Sequence, residues 1–263
     1  MGTGNGSPPF PIPRSPVVAT LSGIYAHPDD ETFSGGGTFA RYAAAGVRCT
    51  LYCATDGQAG KTSGLPVNSQ AELGELRRRE LKAAAGILGI AGVETPGHSD
   101  GALAALNQDD LIGEVVRHIR RERAQVVITF GPEGAPNTHP DHRVISRAAT
   151  AAFFLAALDT AYRDQIESGL AAHSASRLYY VTWPAPPRGA LHDALGVSAT
   201  ARIDVRRHRE QEWAAFHAHA SQQVLQQRFE ETSATDDELF ALAAGVPQPR
   251  PVVADLFEGL QNA

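Results

Sequence analysis

Two segments of the chain, more than a hundred residues apart, contain the same His-Pro-Asp triplet: residues 26–31 (AHPDDE) and residues 138–142 (THPDH). Neutral imidazoles and carboxylates are suitable ligands for Zn²⁺. A catalytic zinc site uses three protein ligands and leaves one position for water. His27 and Asp30, three residues apart, can converge on one ion from a turn, and His142 would supply the third ligand. The pattern therefore predicts a catalytic metal site.

The other charged side chains of these segments suit amide hydrolysis. Asp29 is predicted to take a proton from a metal-bound water, whose pKa the ion lowers. His139, as an imidazolium, is predicted to stabilise the oxyanion or to protonate the leaving amine. Asp141 is expected to orient His139 and hold it charged. One such triplet alone would indicate only a capped turn, but its repetition after two strands favours the catalytic interpretation.

The elements that must position these residues follow an α/β pattern. Apolar or β-rich runs predict strands over 21–26, 47–54, 93–95, 125–130, 177–183 and 199–205. Helical periodicity and end signals predict helices over 38–45, 69–89, 109–123, 140–157 and 206–228. This alternation is typical of a single Rossmann-like domain, a mostly parallel sheet with helices on both faces. Such folds bind ligands at the carboxyl ends of their strands, where both triplets are expected.

Composition limits the function classes. The formal charge of −6 argues against a nucleic-acid groove, which needs clustered Lys and Arg. No run approaches the roughly 18 apolar residues of a membrane span, and a cytoplasmic protein is expected. The Pro/Gly-rich residues 1–17 are predicted to be a disordered leader, and 18–263 to be one domain. Cys49 and Cys53, roughly 13 Å apart on one strand face, are predicted to be free, buried thiols.

The motifs, taken in order, resemble the PIG-L/LmbE superfamily of deacetylases. The similarity extends over about residues 24–222 and rests mainly on AHPDDE at 26–31 and HPDH at 139–142. Weaker matches are Gly36-Gly37-Thr38, Thr55-Asp56-Gly57, Arg77 with Glu80, Leu88-Gly89, Gly97 with Asp100-Gly101, and residues 219–222. The resemblance implies a Rossmann-like fold and Zn²⁺, with Fe²⁺ or another divalent metal as alternatives. It also implies hydrolysis of the N-acetyl amide of a small-molecule N-acetylglucosamine-type sugar or glycoside.

By motif position, the resemblance implies the roles already predicted for the two triplets, with His27, Asp30 and His142 as ligands and Asp29 as general base. Arg77 resembles the family's substrate-contacting arginine. Relatives in the mycothiol branch have a tyrosine where this chain has Asn137, whose amide can donate a hydrogen bond to the oxyanion.

Further histidines and one carboxylate complete the predicted set of site residues. His98 and Asp100 are on a loop after a strand and are expected to contact substrate, as is His219 by the family resemblance. His217 is predicted to lie at the surface, as are His118, His173, His192 and His208.

Three other interpretations remain open. A hydratase can use the same fold and metal, and a non-catalytic metal- or sugar-binding module can keep the ligands without the chemistry. A nucleotide-dependent enzyme is disfavoured because 34–37 (SGGG) matches neither common phosphate-binding loop. The fold class is also compatible with a homo-oligomer.

Overall fold

A computed structural model describes residues 18–134, 137–183 and 198–260, so the predicted leader lies outside the described residues. Within these ranges, seven strands form one sheet in the order β3-β2-β1-β4-β5-β7-β6. The strands are β1 (Thr20–Tyr25), β2 (Arg48–Cys53), β3 (Gly92–Glu94), β4 (Val126–Phe130), β5 (Arg177–Thr182), β6 (Ala201–Asp204) and β7 (Asp237–Gly245). Strands β1 to β5 are parallel, and β7 is antiparallel to both of its neighbours. The predicted mostly parallel α/β sheet is confirmed.

The helices fall into two packed groups. Those described are α1 (Asp30–Phe33), α2 (Gly36–Ala44), α3 (Gln70–Leu88), α4 (Gln108–Glu122), α5 (Pro140–Leu155), α6 (Arg163–Glu167), α7 (Arg209–Ala218) and α8 (Gln226–Thr232). Helices α2, α3 and α7 pack against one another, and α4 packs against α5. No helix of the described ranges has the length and apolarity needed to cross a membrane.

Local sequence signals set the ends of α3. Its N-cap Ser69 accepts a hydrogen bond from the backbone N–H of Glu72 at 3.1 Å. Gly89 ends the helix in the left-handed conformation at φ 75°, which glycine adopts without a steric cost. The helix lies as predicted, and it carries Arg77 and Glu80 on its buried side.

The centre of the sheet provides the crevice for a site. After β1 the chain builds outward through β2 and β3, then crosses back to place β4 on the other side of β1. All residues of β4 and all but the first of β1 are buried, as expected for central strands of a sheet that is covered on both faces. This reversal of strand order leaves a gap between the loops that leave β1 and β4.

The carboxyl-terminal third departs from prediction in two ways. The predicted helix over 206–228 is wrong: α7 ends at Ala218, and His219 leaves helical geometry at φ −84° and ψ 65°. There the buried ring of His219 binds Glu31, and Ser221 donates to Glu80 through both its N–H and its hydroxyl. These tertiary bonds override local helix propensity. Strand β7 was not predicted at all, because its alanines carry little β-signal.

Both thiols are free and buried, as predicted for Cys49 and Cys53. Among the remaining histidines, His217 is exposed as predicted and His192 lies outside the described residues. The prediction for His118 is wrong, since it is 1% exposed and its ring bonds Ser22 and Glu94, each at 2.7 Å. His173 and His208 are half-buried.

Arg120 stabilises the chain that leaves α5, and its loss should be costly. Its 2% exposed guanidinium donates to the carbonyls of Leu158 at 2.7 Å and Ala161 at 2.9 Å, among others. We expect Arg120→Ala to lower the free energy of unfolding by at least about 1.5–3 kcal/mol, the range for a hydrogen bond to a charged group. Denaturant unfolding measures the loss. Arg121→Ala, which removes a 43% exposed side chain paired with Glu94, should cost less than about 1 kcal/mol; equal losses would contradict this role of Arg120.

Candidate metal centre

The two His-Pro-Asp segments lie side by side because the strands before them are paired. Strand β1 pairs with β4 in parallel register, so the loops that follow both strands leave the same edge of the sheet. Among the described residues of each loop, a non-glycine residue lies in the left-handed region: Asp29 at φ 95° and Thr138 at φ 55°. This conformation is disfavoured for residues with a side chain and is found preferentially at functional sites. The backbone conformation of both loops is thus one that is often found at functional sites.

Donor atoms of His27, Asp30 and His142 converge between the loops. His27 Nδ1 lies 3.2 Å from His142 Nε2 and 3.5 Å from Asp30 Oδ2. His142 Nε2 lies 3.2 Å from Asp30 Oδ1. Tetrahedral ligands about 2.0–2.1 Å from a zinc ion would be about 3.3 Å from one another. The three side chains are therefore spaced as ligands of one small divalent cation.

Buried contacts hold two of these side chains in place. The ring of His142 stacks on Phe130, with centroids 3.9 Å apart and planes 7° apart. The Asp30 carboxylate accepts hydrogen bonds from the backbone N–H of His27 at 2.8 Å and of Ala26 at 3.2 Å. Burial would raise the pKa of Asp30, but the charges and hydrogen bonds of His142 and His27 lower it well below its usual value. The group is thus an anion, as a ligand must be.

The other nitrogen of His27 faces two carboxylates. His27 Nε2 lies 3.0 Å from Asp100 Oδ1 and 3.3 Å from Asp141 Oδ2. Carboxylates behind a ligating imidazole orient the ring and increase its basicity. Asp141 also accepts from the backbone N–H of Gly101 at 2.7 Å and of Leu103 at 3.1 Å. The prediction that Asp141 orients His139 is therefore wrong: its carboxylate orients His27 instead.

Two other sets of donor atoms overlap this centre. His27, His139 and His142 have ligand-type atoms within 4.8 Å of one another, and so do His27, Asp100 and Asp141. In the first set, His139 Nδ1 accepts the backbone N–H of Asp141 at 3.2 Å. The proton of a neutral ring is then on Nε2, so neither nitrogen of His139 has a free lone pair for a metal. The second set uses the nitrogen of His27 that points away from His142. The set with Asp30 has separations of 3.2–3.5 Å, close to those of a tetrahedral site, and it joins both loops through three buried side chains.

Asp29 lies next to these side chains, in contact with Arg77. Its carboxylate Oδ1 is 3.3 Å from Arg77 Nη2. Burial raises the pKa of Asp29 to about 6, although the charge of Arg77 opposes the shift. A carboxyl group with a pKa in this range accepts and releases protons near neutral pH, as a general base must.

Arg77 joins the loop after β1 to the loop after β2 through hydrogen bonds to their backbone carbonyls. It is 3% exposed, and it donates to the carbonyl of Gly57 at 2.8 Å and to that of Pro28. Its guanidinium contacts these carbonyls and the Asp29 carboxylate; its contact with substrate stays a prediction. Its burial depends on the loop after β2 folding over α3, which no local pattern signals.

His139 caps α5 and has a defined tautomer. Its Nδ1 accepts the backbone N–H of Asp141, so this nitrogen carries no proton. Its ring meets that of His27 edge-on, with centroids 4.6 Å apart. Burial lowers the pKa of His139, and the charges of His27 and His142 lower it further. The contact of Nδ1 and the lowered pKa favour a neutral His139 ring with Nε2–H as its donor over the expected imidazolium.

The remaining predicted residues surround the centre at different depths. Asn137 is exposed, and its side-chain oxygen accepts the backbone N–H of His139 at 3.1 Å. His98 is half-buried and pairs with Glu114 at 2.8 Å. His219 is completely buried and pairs with Glu31 at 2.6 Å, and its contact with substrate stays a prediction. The motif at 26–31 already contained Glu31, but nothing local indicated its partner.

Comparisons with known proteins agree with this geometry. The sequence profile of the PIG-L family, described as GlcNAc-PI de-N-acetylase, matches residues 23–153. The 1D-myo-inositol 2-acetamido-2-deoxy-alpha-D-glucopyranoside deacetylase of Rhodococcus erythropolis is 32% identical and aligns over 86% of each chain. The region matched by the family profile includes both His-Pro-Asp segments.

Solved structures share the fold at lower identity. The N,N'-diacetylchitobiose deacetylase of Pyrococcus horikoshii has a TM-score of 0.67 and 21% identity, covering 85% of this chain and 83% of its own. The 4-carboxy-2-hydroxymuconate hydratase of Pseudomonas putida has a TM-score of 0.68 and 19% identity, covering 89% and 98%. Because an amidase and a hydratase both resemble this chain, the fold alone does not select the reaction.

Proposed function

Because this chain belongs to the PIG-L family, we propose that it is a metal-dependent deacetylase that hydrolyses the N-acetyl amide of an N-acetylglucosamine unit. One observation carries the proposal. Nδ1 of His27, Nε2 of His142 and the two carboxylate oxygens of Asp30 approach one another at 3.2–3.5 Å, beside the buried carboxylate of Asp29. Metal ligands and a base in one crevice are the groups that amide hydrolysis needs.

The metal would be held by His27 Nδ1, His142 Nε2 and the carboxylate of Asp30. Imidazole and carboxylate donors suit Zn²⁺, and they also suit Fe²⁺. When bound, such an ion polarises a carbonyl and lowers the pKa of a coordinated water. The carboxylates of Asp100 and Asp141 behind His27 would keep its ring oriented and electron-rich.

Asp29 and His139 would have different roles in the reaction, proton transfer for Asp29 and hydrogen bonding for His139. Asp29, with its raised pKa, would accept a proton from the attacking water and give it to the departing nitrogen as the C–N bond breaks, so that the amine leaves protonated. His139 donates a hydrogen bond from Nε2 to the developing oxyanion, since its Nδ1 is occupied by the Asp141 N–H. A neutral donor at the N-terminus of a helix is a known way to polarise a carbonyl.

The substrate is proposed to be a small N-acetylglucosaminide with a polar aglycone. The name of the Rhodococcus relative specifies such a glycoside, with inositol as the aglycone. Asn137 is exposed, and its side-chain oxygen accepts the backbone N–H of His139. Its side-chain NH₂ group is the part that would donate to substrate. We propose it as a contact to the acetyl carbonyl or to a sugar hydroxyl.

Release of free amine from a panel of N-acetylglucosaminyl compounds tests the proposal. We expect chelation to abolish amine release and Zn²⁺ to restore it, because the three donors include two imidazoles. Mg²⁺, which prefers oxygen ligands in octahedral geometry, should not restore it. Hydration of an unsaturated acid without any amine release would instead assign the chain to the hydratases of this fold, and amine release that resists complete metal removal would refute metal dependence.

A further inference from the structure

Glu31, the last residue of the first motif, joins the metal loop to a distant helix end. It is 1% exposed. Its Oε2 accepts the backbone N–H of Asp29 at 3.0 Å, and its Oε1 lies 2.6 Å from Nε2 of His219. One carboxylate therefore bridges the peptide of Asp29 to a side chain that follows it by 190 residues.

His219 is placed so that Glu31 is its partner. Its ring is 0% exposed at the point where α7 ends, and its Nδ1 has no hydrogen-bond partner among the described residues. The next residues bind elsewhere: Ser221 donates to Glu80 of α3 through its N–H at 2.8 Å and its hydroxyl at 2.6 Å. The end of α7 thus places His219 beside Glu31, and the bonds of Ser221 to Glu80 hold the following residues in position.

The peptide of Asp29 requires such support. Its φ of 95° is one that a residue with a side chain rarely adopts, and surrounding contacts must maintain it. Thr32 donates to the Asp29 carbonyl at 2.7 Å, and Arg77 contacts its carboxylate at 3.3 Å. Glu31 satisfies the remaining group, the N–H. The N–H, the carbonyl and the carboxylate of Asp29 are thus each held by a contact, and together these contacts orient the carboxylate.

We infer that Glu31 and His219 are positioning residues: the buried His219–Glu31 pair holds the Asp29 peptide in its left-handed conformation and so aims the Asp29 carboxylate. This inference rests on the proposed function, in which Asp29 is the base. Neither residue contacts the donor atoms of the metal site directly. Asp30 has its own backbone anchors, the N–H groups of Ala26 and His27.

Separate anchors predict separable effects. Glu31→Ala should lower kcat about 10–100-fold, the range for loss of a supporting partner at a site, because the Asp29 carboxylate is no longer aimed. KM and zinc content should stay near the wild-type values. His219→Ala should have a similar effect, whereas His217→Ala, at an exposed position two residues earlier, should leave kcat unchanged.

A conservative variant separates positioning from loss of structure. The amide of Glu31→Gln keeps an oxygen that accepts the Asp29 N–H, and its NH₂ can donate to an unprotonated His219 Nε2. We therefore expect Glu31→Gln to recover most of the kcat lost in Glu31→Ala. Circular dichroism and zinc analysis of both variants check that the fold and the metal site remain.

A double-mutant cycle with Asp29→Asn closes the test. If Glu31 acts through Asp29, adding Glu31→Ala to Asp29→Asn should lower the residual kcat no further. Three results would overturn the inference but leave the proposed function standing. They are an additive loss of kcat in the double variant, loss of zinc in Glu31→Ala, and wild-type kcat in Glu31→Ala while Asp29→Asn is impaired. Wild-type kcat in Asp29→Asn would instead overturn the proposed base, and with it the basis of the inference.

Discussion

Replacing Asp29 by asparagine is expected to lower kcat by about 10²–10⁴-fold, the contribution of a positioned general acid–base group. The substitution keeps the size and the left-handed turn preference of the residue, since asparagine tolerates positive φ. It removes the proton acceptor. The carboxylate of Asp29, with its pKa raised to about 6 by burial, is the group placed to take a proton from water beside the ligands.

Metal content distinguishes this effect from damage to the site. Zinc analysis of Asp29→Asn should match the wild type, because the three ligands are unchanged. Asp255→Asn is the matched control: this carboxylate bonds the Tyr42 hydroxyl at 2.8 Å, away from the two loops, and its loss should not change kcat. Near-normal turnover in Asp29→Asn would rule out Asp29 as the base.

His142→Ala is expected to empty the metal site and abolish turnover. His142 supplies the Nε2 that lies 3.2 Å from both His27 Nδ1 and Asp30 Oδ1, so its loss leaves two ligands. Loss of a supporting partner alone weakens metal binding about 10–100-fold, and loss of a ligand should exceed that range. Competition with a chelator of known affinity, with zinc as the ion, measures the change.

Another histidine provides the control for this variant. His173 is half-buried, and its ring bonds the backbone carbonyl of Ala124 at 2.8 Å. Ala124 precedes β4, so this bond lies at the amino-terminal edge of the sheet, opposite the edge that carries the two loops. His173→Ala should retain the metal and the activity. Wild-type zinc affinity in a folded His142→Ala protein would contradict the assignment of His142 as a ligand.

Local patterns were enough to predict strands β1 to β6 and the meeting of the two His-Pro-Asp segments at one edge of the sheet. Strands β1 and β4 are rich in apolar residues because both of their faces are buried. Paired parallel strands end at one edge, so His27 and His142 had to come together once both segments were placed after strands. Their 3.2 Å separation confirms that step.

What could not be predicted depends on contacts between distant segments. The end of α7 at Ala218 has no glycine or proline to mark it; the bonds of His219 to Glu31 and of Ser221 to Glu80 determine it. The carboxylate of Asp141 turns to His27 because the N–H groups of Gly101 and Leu103 hold it there. Such choices among several chemically suitable partners require three-dimensional coordinates.

The position of the bound ion tests the metal assignment most directly. Crystals grown with zinc, with anomalous diffraction measured at the zinc edge, should show a single peak about 2.0–2.2 Å from His27 Nδ1, His142 Nε2 and a carboxylate oxygen of Asp30. The nearby group of His27, Asp100 and Asp141 offers the ion an alternative place. A peak there, on the Nε2 side of His27, would contradict the assignment of Asp30 and His142 as ligands.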